Sequence, residues 1–504
     1  MTSLSVLVPV YNEEHLVATS LARLEVLEES PLLSRVQVVV VDDCSRDATP
    51  DVLSRFRSER GLAPDGEVWR KPGSKIEWVF RRHERNGGKG KAIQTALTLA
   101  SCECSVIHDA DLEYHPKDLL HIVKVFVEEG ADAVFGSRFA GGASRRVLFF
   151  RHELGNRLLT FLTNLSTNLN LTDMETCYKA VRTDLLKSIP IVSNDFRLEP
   201  ELTIKLAKRE ARIFEVPISY SGRTYQEGKK IDWKDGMKAL AAIARFAISD
   251  DIYTCDKYGS QILGRMARAP RFTRWMADLI RPYCGARVLE IGSGIGSITR
   301  QLVPRRRYVA SDVNPLHLHT LRALRSDRPY LETQFCDVTD LASFPSAEGG
   351  FDTVIALNVI EHVEGDREAL ANMRAALAPG GRAIVLVPQG QDLFGTLDEV
   401  LGHKRRYSEA SLTRLAVEAG FTVRAMLRFN RIGTLAWWLN GKVLRRRSFG
   451  LFQVMALNLL TPLFRLVDGS LPLAPLSLVA VLEPAREATG TSNANGAMPT
   501  AENA

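Results

Sequence analysis

The chain has 504 residues, 45% hydrophobic and 25% charged, with 65 basic against 59 acidic side chains and a net charge of +6. That length exceeds one compact core and suits two domains, and the composition excludes a disordered or fibrous chain. The mild basic excess is compatible with anionic substrates or a membrane surface, and no nucleic-acid partner is expected. In chain order, Leu4–Val10 reads as a buried strand with no basic stretch or cleavage site ahead of it, so no signal peptide is expected. Strands are expected at 4–10, 36–41, 76–81, 105–108, 132–136 and 177–182, with helical patterns between them. This alternation is that of a mostly parallel sheet covered on both faces. Gly61, Pro64, Gly66, Pro72 and Gly73 mark residues 60–75 as a surface loop.

A second alternation starts near 286, with strands expected at 287–291, 307–312, 331–336, 352–357, 382–387, 421–428 and 476–482. The division read from this is a first domain over 1–250, a connector over 251–284, a second domain over 285–485 and a disordered, Ala/Gly/Asn/Thr-rich tail over 486–504. Both domains are α/β and doubly wound. No apolar run approaches the ~20 residues of a spanning helix; 451–464 and 471–482 are short or broken by proline. The seven cysteines include one close pair, Cys102 and Cys104, with no partner pair at metal-ligand spacing, so free thiols are expected.

Chemistry concentrates where strands end. Asp109-Ala-Asp111 follows the strand 105–108, and two carboxylates so placed can reach one divalent ion that also holds a diphosphate. Pro9-Val-Tyr11-Asn-Glu13 ends the first strand and Asp42-Asp-Cys-Ser-Arg-Asp47 ends the second. Arg85-Asn-Gly-Gly-Lys89-Gly-Lys91 precedes a helix, with glycines expected to let backbone amides approach phosphate and lysines to supply charge. All sit at strand C-terminal ends, where open α/β sheets bind ligands.

Taken together with Gly136-Ser137-Arg138, these motifs resemble the family 2 glycosyltransferases of the GT-A fold over roughly residues 3–245, with the greatest likeness to dolichyl-phosphate mannose synthases and bacterial polyprenyl-phosphate relatives. The resemblance implies inverting transfer of a hexose from a nucleotide sugar, of the GDP-mannose or UDP-glucose type, to a polyprenyl phosphate. It implies that Pro9, Tyr11, Glu13 and Asp42 hold the nucleotide, and that Asp109 and Asp111 hold Mg²⁺ or Mn²⁺ with Glu113 where such synthases commonly have Gln. It places Ser137 and Arg138 at the acceptor phosphate, and Arg223 and Lys230 in a late basic segment that handles phosphates. The segment Asp173-Met-Glu-Thr-Cys-Tyr-Lys179 departs from the synthases' pattern.

A lipid acceptor calls for a lipid-facing surface. Val147, Phe150, Leu154, Leu158, Phe161, Leu165 and Leu169 recur at helical spacing beside Arg145, Arg146, Arg151 and Arg157. A second candidate runs from Met237 to Ile248 after Lys229, Lys230, Lys234 and Lys238. Such helices either lie in a membrane interface or pack on the sheet.

In the second half, Glu290-Ile-Gly292-Ser-Gly294-Ile-Gly296 ends a strand and opens a helix; alone, it could serve a dinucleotide. Asp312 ends the next strand, Asp337 follows a third, and Asn358-Val-Ile-Glu361-His362 follows a fourth, with Leu377-Ala-Pro-Gly-Gly381 beyond. Together these resemble class I S-adenosylmethionine-dependent methyltransferases, with a seven-stranded Rossmann-like sheet, over about 284–484. The resemblance implies that Glu290, Gly292, Gly294 and Gly296 cradle the methionine part of S-adenosylmethionine, Asp312 the ribose and Asp337 the adenine edge, with Asn358 lining the pocket. His362 and the basic cluster His403-Lys-Arg405-Arg406-Tyr407 are candidates for the methyl-acceptor side; a solvated charge run is the other reading of the cluster. The expectation is a bifunctional enzyme, peripheral at the cytoplasmic face of the membrane, serving glycolipid or cell-envelope glycan synthesis. The alternatives are a saccharide or small-molecule acceptor, or one domain acting only as a binding module; oligomeric state is not legible.

Overall fold

The structure is a computed structural model that describes residues 1–141, 146–147, 150–209, 211–223, 233–249, 264–325, 328–447 and 450–485. Arg145, Lys229, Lys230, the first part of the expected connector and the tail from 486 lie outside the described residues.

The first sheet contains β1 (Thr2–Val10), β2 (Leu33–Asp42), β3 (Ala63–Asp65), β4 (Val68–Arg70), β5 (Ile76–Arg82), β6 (Cys104–Ile107), β7 (Ala133–Ser137), β8 (Lys179–Arg182) and β9 (Ile213–Pro217). Their order is β3-β4-β5-β2-β1-β6-β8-β7-β9. β1 is central and buried on both faces, which is why it reads as a continuous apolar run rather than an alternating one. It pairs in parallel with β2 and β6, so the loops after Val10, Asp42 and Ile107 emerge side by side. Two expectations are corrected. The sheet is mixed, because β8 runs antiparallel to both β6 and β7. The segment 60–75 is not a plain loop but carries the hairpin β3–β4, which pairs with the edge of β5.

The second sheet contains β10 (Arg287–Ile291), β11 (Arg307–Asp312), β12 (Leu331–Phe335), β13 (Phe351–Leu357), β14 (Leu377–Pro388), β15 (Phe421–Phe429) and β16 (Ser477–Pro484). All seven expected strands are there, in the order β12-β11-β10-β13-β14-β16-β15. β16 inserts antiparallel between β14 and β15.

The two amphipathic candidates behave differently. The helix Phe150–Thr167 buries Leu159, Thr160 and Thr163 but turns Phe150, Leu154, Leu158, Phe161 and Leu165 outward, with Phe150 75% and Phe161 60% exposed. The helix Trp233–Ile248 instead buries Ala239, Ala242, Ile243 and Phe246 against Leu159, Met174 and Ile204, so it is largely a core helix. The helix Leu451–Val467 also presents an outward apolar stripe, Phe452, Met455, Leu459, Leu463 and Leu466. No helix among the described residues is long and apolar enough to cross a membrane. Six cysteines are free thiols among the described residues.

Candidate functional site

Asp109 and Asp111 leave the end of β6 and face a cavity of about 890 Å³, also lined by Pro9, Tyr11, Glu13 and Lys89. Lys89 opens the helix Lys89–Leu99, and its Nζ lies 3.0 Å from Asp109 Oδ2 and 3.5 Å from Glu199 Oε1. Burial works against ionisation of Asp109, but the Lys89 ammonium outweighs it and holds the carboxyl below its ordinary range. Asp111 goes the other way: burial first, then the charges of Asp109 and Glu113, push it up to about 7 against the pull of Arg223. Arg223 Nη2 sits 3.0 Å from Asp111 Oδ2 and its backbone N–H donates to Glu113 Oε1 at 2.9 Å, while Tyr220 donates its hydroxyl to Glu113 Oε2 at 2.9 Å. The carboxylate at 113 is thereby held in place by hydrogen bonds from its neighbours.

The loops after β1 and β2 are stitched together. Asn12, in the left-handed region at φ 51°, accepts the Arg46 N–H at 2.9 Å, and the Glu13 N–H donates to Thr49 Oγ1 at 2.9 Å. Asp42 is buried, accepts the Ser45 N–H at 2.9 Å and pairs with Arg82 at 3.1 Å. The cavity wall is formed by its neighbour Asp43, whose carboxylate accepts the Gly87 and Gly88 N–H groups at 2.9 and 2.7 Å. This corrects the expected role of the glycine segment. Its amides serve the protein itself, and Gly90 donates to Asn194 O at 3.0 Å. A Cβ on Gly90 would stand 1.9 Å from Ser193 O, so these glycines permit close backbone packing. Lys91 is exposed, with its Nζ 3.5 Å from Gln94 Oε1.

On the expected acceptor side, Ser137 is buried and its Oγ accepts the N–H groups of Phe139 and Ala140, closing the turn after β7. Arg138 lines the cavity, but its Nε and Nη2 each lie 2.7 Å from the Asp173 carboxylate, and its guanidinium stacks on Tyr220 at 5.1 Å. Asp173, in the segment that departs from the synthases, is thus the fixed partner of Arg138. Sequence reasoning also missed two acids. Glu199 bridges Lys89 and Lys179, the latter at 2.9 Å. Glu175 lines the cavity with Oε1 unpartnered among the described residues; burial first and Glu199 second push it up to about 7. For Glu199 the available signal was an acid beside the apolar positions Leu198, Leu202 and Leu206, and Glu175 stands inside the departing segment 173–179.

In the second sheet, Glu290 is buried at the end of β10. Gly292, Gly294 and Gly296 all take left-handed φ, 69°, 55° and 79°, a conformation costly for any residue with a Cβ. The Gly294 N–H donates to Asp312 Oδ2 at 2.8 Å, and the other Asp312 oxygen accepts the Asn314 N–H at 2.8 Å. Asp337 accepts the N–H and hydroxyl of Thr339 at 2.9 and 2.7 Å. Asn358 is exposed just past β13, also left-handed at φ 54°.

The cations of the basic cluster are paired with acids on neighbouring elements. Arg405 Nη1 lies 2.8 Å from Asp366 Oδ2, and the Tyr407 hydroxyl donates to the same oxygen at 2.9 Å. Arg406 is buried, with Nε 2.8 Å from Asp398 and its guanidinium over the Trp437 ring. His403 Nδ1 is 2.8 Å from Asp398 Oδ1, and the His403 ring meets His362 edge-on at 4.8 Å. Burial pushes Glu361 up to about 8; burial first and His403 second bring His362 down to about 4.

Residues 5–189 match the model of glycosyl transferase family 2, and residues 289–383 match that of a methyltransferase domain. An uncharacterised protein of Methanocaldococcus jannaschii is 26% identical over 223 residues, 42% of this chain and 86% of that protein. The undecaprenyl-phosphate 4-deoxy-4-formamido-L-arabinose transferase of Edwardsiella ictaluri is 27% identical over 217 residues, 41% of this chain and 60% of that transferase. Among solved structures, glucosyl-3-phosphoglycerate synthase from Mycobacterium tuberculosis, in complex with Mn²⁺, UDP and glucosyl-3-phosphoglycerate, matches with a TM-score of 0.37 and 18% identity over 51% of this chain and 83% of that one. The chain therefore carries a family 2 glycosyltransferase domain and a methyltransferase domain, and is a glycosyltransferase and a methyltransferase in one polypeptide.

Proposed function

We propose that the first domain transfers a hexose, with inversion, from a GDP-mannose- or UDP-glucose-type donor to a polyprenyl phosphate at the cytoplasmic face of a membrane. The second domain then methylates with S-adenosylmethionine in the same glycolipid or envelope-glycan pathway. The observation that carries this reading is continuity. The cavity holding Asp109 and Asp111 is also lined by Val147 and Leu158, which belong to the outward apolar stripe. A phosphate tethered to a lipid could enter the cavity while its chain stays on that stripe. The undecaprenyl-phosphate transferase relative supports the same acceptor class.

The donor set fits a divalent ion. Asp109, Asp111 and Glu113 crowd three carboxylates against Lys89 and Arg223, and the carboxyl of Asp111 is driven up first by burial and then by that crowding. Asp109 and Asp111, with Glu113 beside them, would hold Mg²⁺ or Mn²⁺, which supplies charge neutralisation for the leaving diphosphate. Pro9, Tyr11, Glu13 and Asp43 wall the nucleotide side, and Lys89 stands where its ammonium can meet a phosphate oxygen. Arg138, fixed by Asp173, lines the cavity as a positioned cation. The acceptor phosphate is largely dianionic at neutral pH, with a second pKa near ~6, so it needs placement more than a general base.

In the second domain the left-handed glycine turn, Asp312, Asp337 and Asn358 are each assigned to the methyl donor on their motif positions. S-adenosylmethionine would supply an activated methyl group there, and this chain's residues would hold and orient it. The test is mass spectrometry of lipid extracts after incubation with a nucleotide sugar, polyprenyl phosphate and S-adenosylmethionine. A hexosyl lipid and its methylated form are expected; sugar transfer to water-soluble acceptors alone would overturn the lipid assignment.

A further inference from the structure

The methyl-donor reading leaves a cluster just past β13 unused. We propose that Glu361, His362 and His403 form a binding site for a divalent transition-metal ion of the zinc class, with Asp398 orienting His403 from behind. One ligand atom from each of the three side chains lies within 4.8 Å of the other two. A tetrahedral ion with bonds of about 2.0–2.2 Å places its ligands about 3.3–3.6 Å apart, so the three have little distance to close. His403 Nε2 and Glu361 Oε1 are already 3.9 Å apart.

Two independent features make this a built site. Asp398 holds His403 Nδ1 at 2.8 Å, which leaves Nε2 to face Glu361; a carboxylate behind an imidazole is the usual support of a metal-bound histidine. Asp398 is itself clamped by Arg406 Nε at 2.8 Å and Trp437 Nε1 at 3.1 Å, so the support cannot rotate away. The Glu361 side chain is fully buried, and neither of its oxygens has a hydrogen-bond partner among the described residues. A buried carboxylate left this way needs a cation or a donor, and the two imidazoles beside it are ligands rather than counter-charges. The two segments are locked in register, because the Lys404 N–H donates to Glu361 O at 2.9 Å.

Two imidazoles with one carboxylate select zinc, cobalt, nickel or iron over magnesium or calcium, which favour all-oxygen shells. Three protein ligands leave a position for water or for an oxygen of the methyl acceptor, so the acceptor class is one with a hydroxyl or carboxylate oxygen. Only that last step rests on the methyltransferase reading; ion binding does not.

The experiment uses the full chain carrying Asp111→Ala, which disables the acidic pair of the first domain. The protein is stripped with chelator, dialysed against ZnCl₂ or CoCl₂ and analysed by elemental mass spectrometry and visible spectroscopy. About one zinc per chain, cobalt d–d bands of imidazole–carboxylate coordination and a higher Tm with zinc are expected. Glu361→Gln and His362→Ala should lose the ion, and Asp398→Asn should weaken it by about 10–100-fold while keeping the cobalt spectrum. Circular dichroism of the stripped variants separates ligand loss from misfolding. Zinc content no higher than in a folded Glu361→Gln or His362→Ala protein would overturn the site, whether or not methyl transfer is observed.

Discussion

At the scale of single residues, the first site trades stability for charge placement. Asp111 is a buried acid held against two like charges, so Asp111→Asn should abolish sugar transfer without lowering Tm. Near wild-type transfer by that variant would remove Asp111 from the site. Glu175 gives a pH signature. Its folded value, about 7, lies above the ordinary 4.5, so the native state binds the proton more tightly than the unfolded one. Stability should therefore fall as pH rises from about 4.5 to about 7, then level off with a cost on the order of 3 kcal/mol. Glu175→Gln should recover that amount at pH 8 and gain little at pH 4, as read by urea unfolding at the two values; an unchanged difference from wild type across pH would refute it. Gly90→Ala tests the packing joint. Its Cβ would meet a backbone carbonyl that cannot swing aside, so a loss of about 1–3 kcal/mol is expected, with a mere cofactor-affinity defect at full stability as the contrary result.

At the scale of elements, the helix Phe150–Thr167 separates two readings that the sequence leaves level. Spacing of three and four residues defines an apolar stripe but not the direction it faces, since a core-facing and a lipid-facing helix share one period. On the opposite side the small residues Thr160 and Thr163 are buried together with Leu159. Replacing Phe150 and Phe161 together with Ser should shift folding stability by no more than about 0.5 kcal/mol each, yet release the protein from anionic vesicles in flotation at low salt; unchanged flotation would mean that the stripe does not dock. Strands were easier to read because buried parallel strands such as β2 are continuous apolar runs. β9 escaped because only Val216 of its five residues is fully buried. The motif positions of the first site were legible for a related reason: they crowd at strand ends. Which member of a motif faces the cavity was not. Asp42 closes β2 and Asp43 follows it, and successive side chains at a strand end point to opposite sides. Nor could sequence show that Arg138 is bound by Asp173 or Arg406 by Asp398, since partners 35 and 8 residues apart are joined only by the fold.

At the scale of the whole molecule, the described residues form two sheets, each with its own glycine-rich turn and acids at strand ends. Gly294→Val should block S-adenosylmethionine binding in calorimetry and leave sugar transfer at its wild-type rate, while Asp111→Asn should do the reverse; loss of both activities in either variant would mean that the domains depend on each other. The place of β16 bears on how the protein is made. The first sheet draws its last strand from Ile213–Pro217, but the second cannot join β14 to β15 until Ser477–Pro484 has been added. On the ribosome, every strand of the first sheet has emerged while the second sheet still lacks β16. Until the final strand emerges, β14 and β15 each wait with an open edge, the state in which strands pair with the wrong neighbour. A nonsense mutation anywhere between 390 and 476 should therefore spare the first activity and turn the remainder into a target for chaperones and proteases.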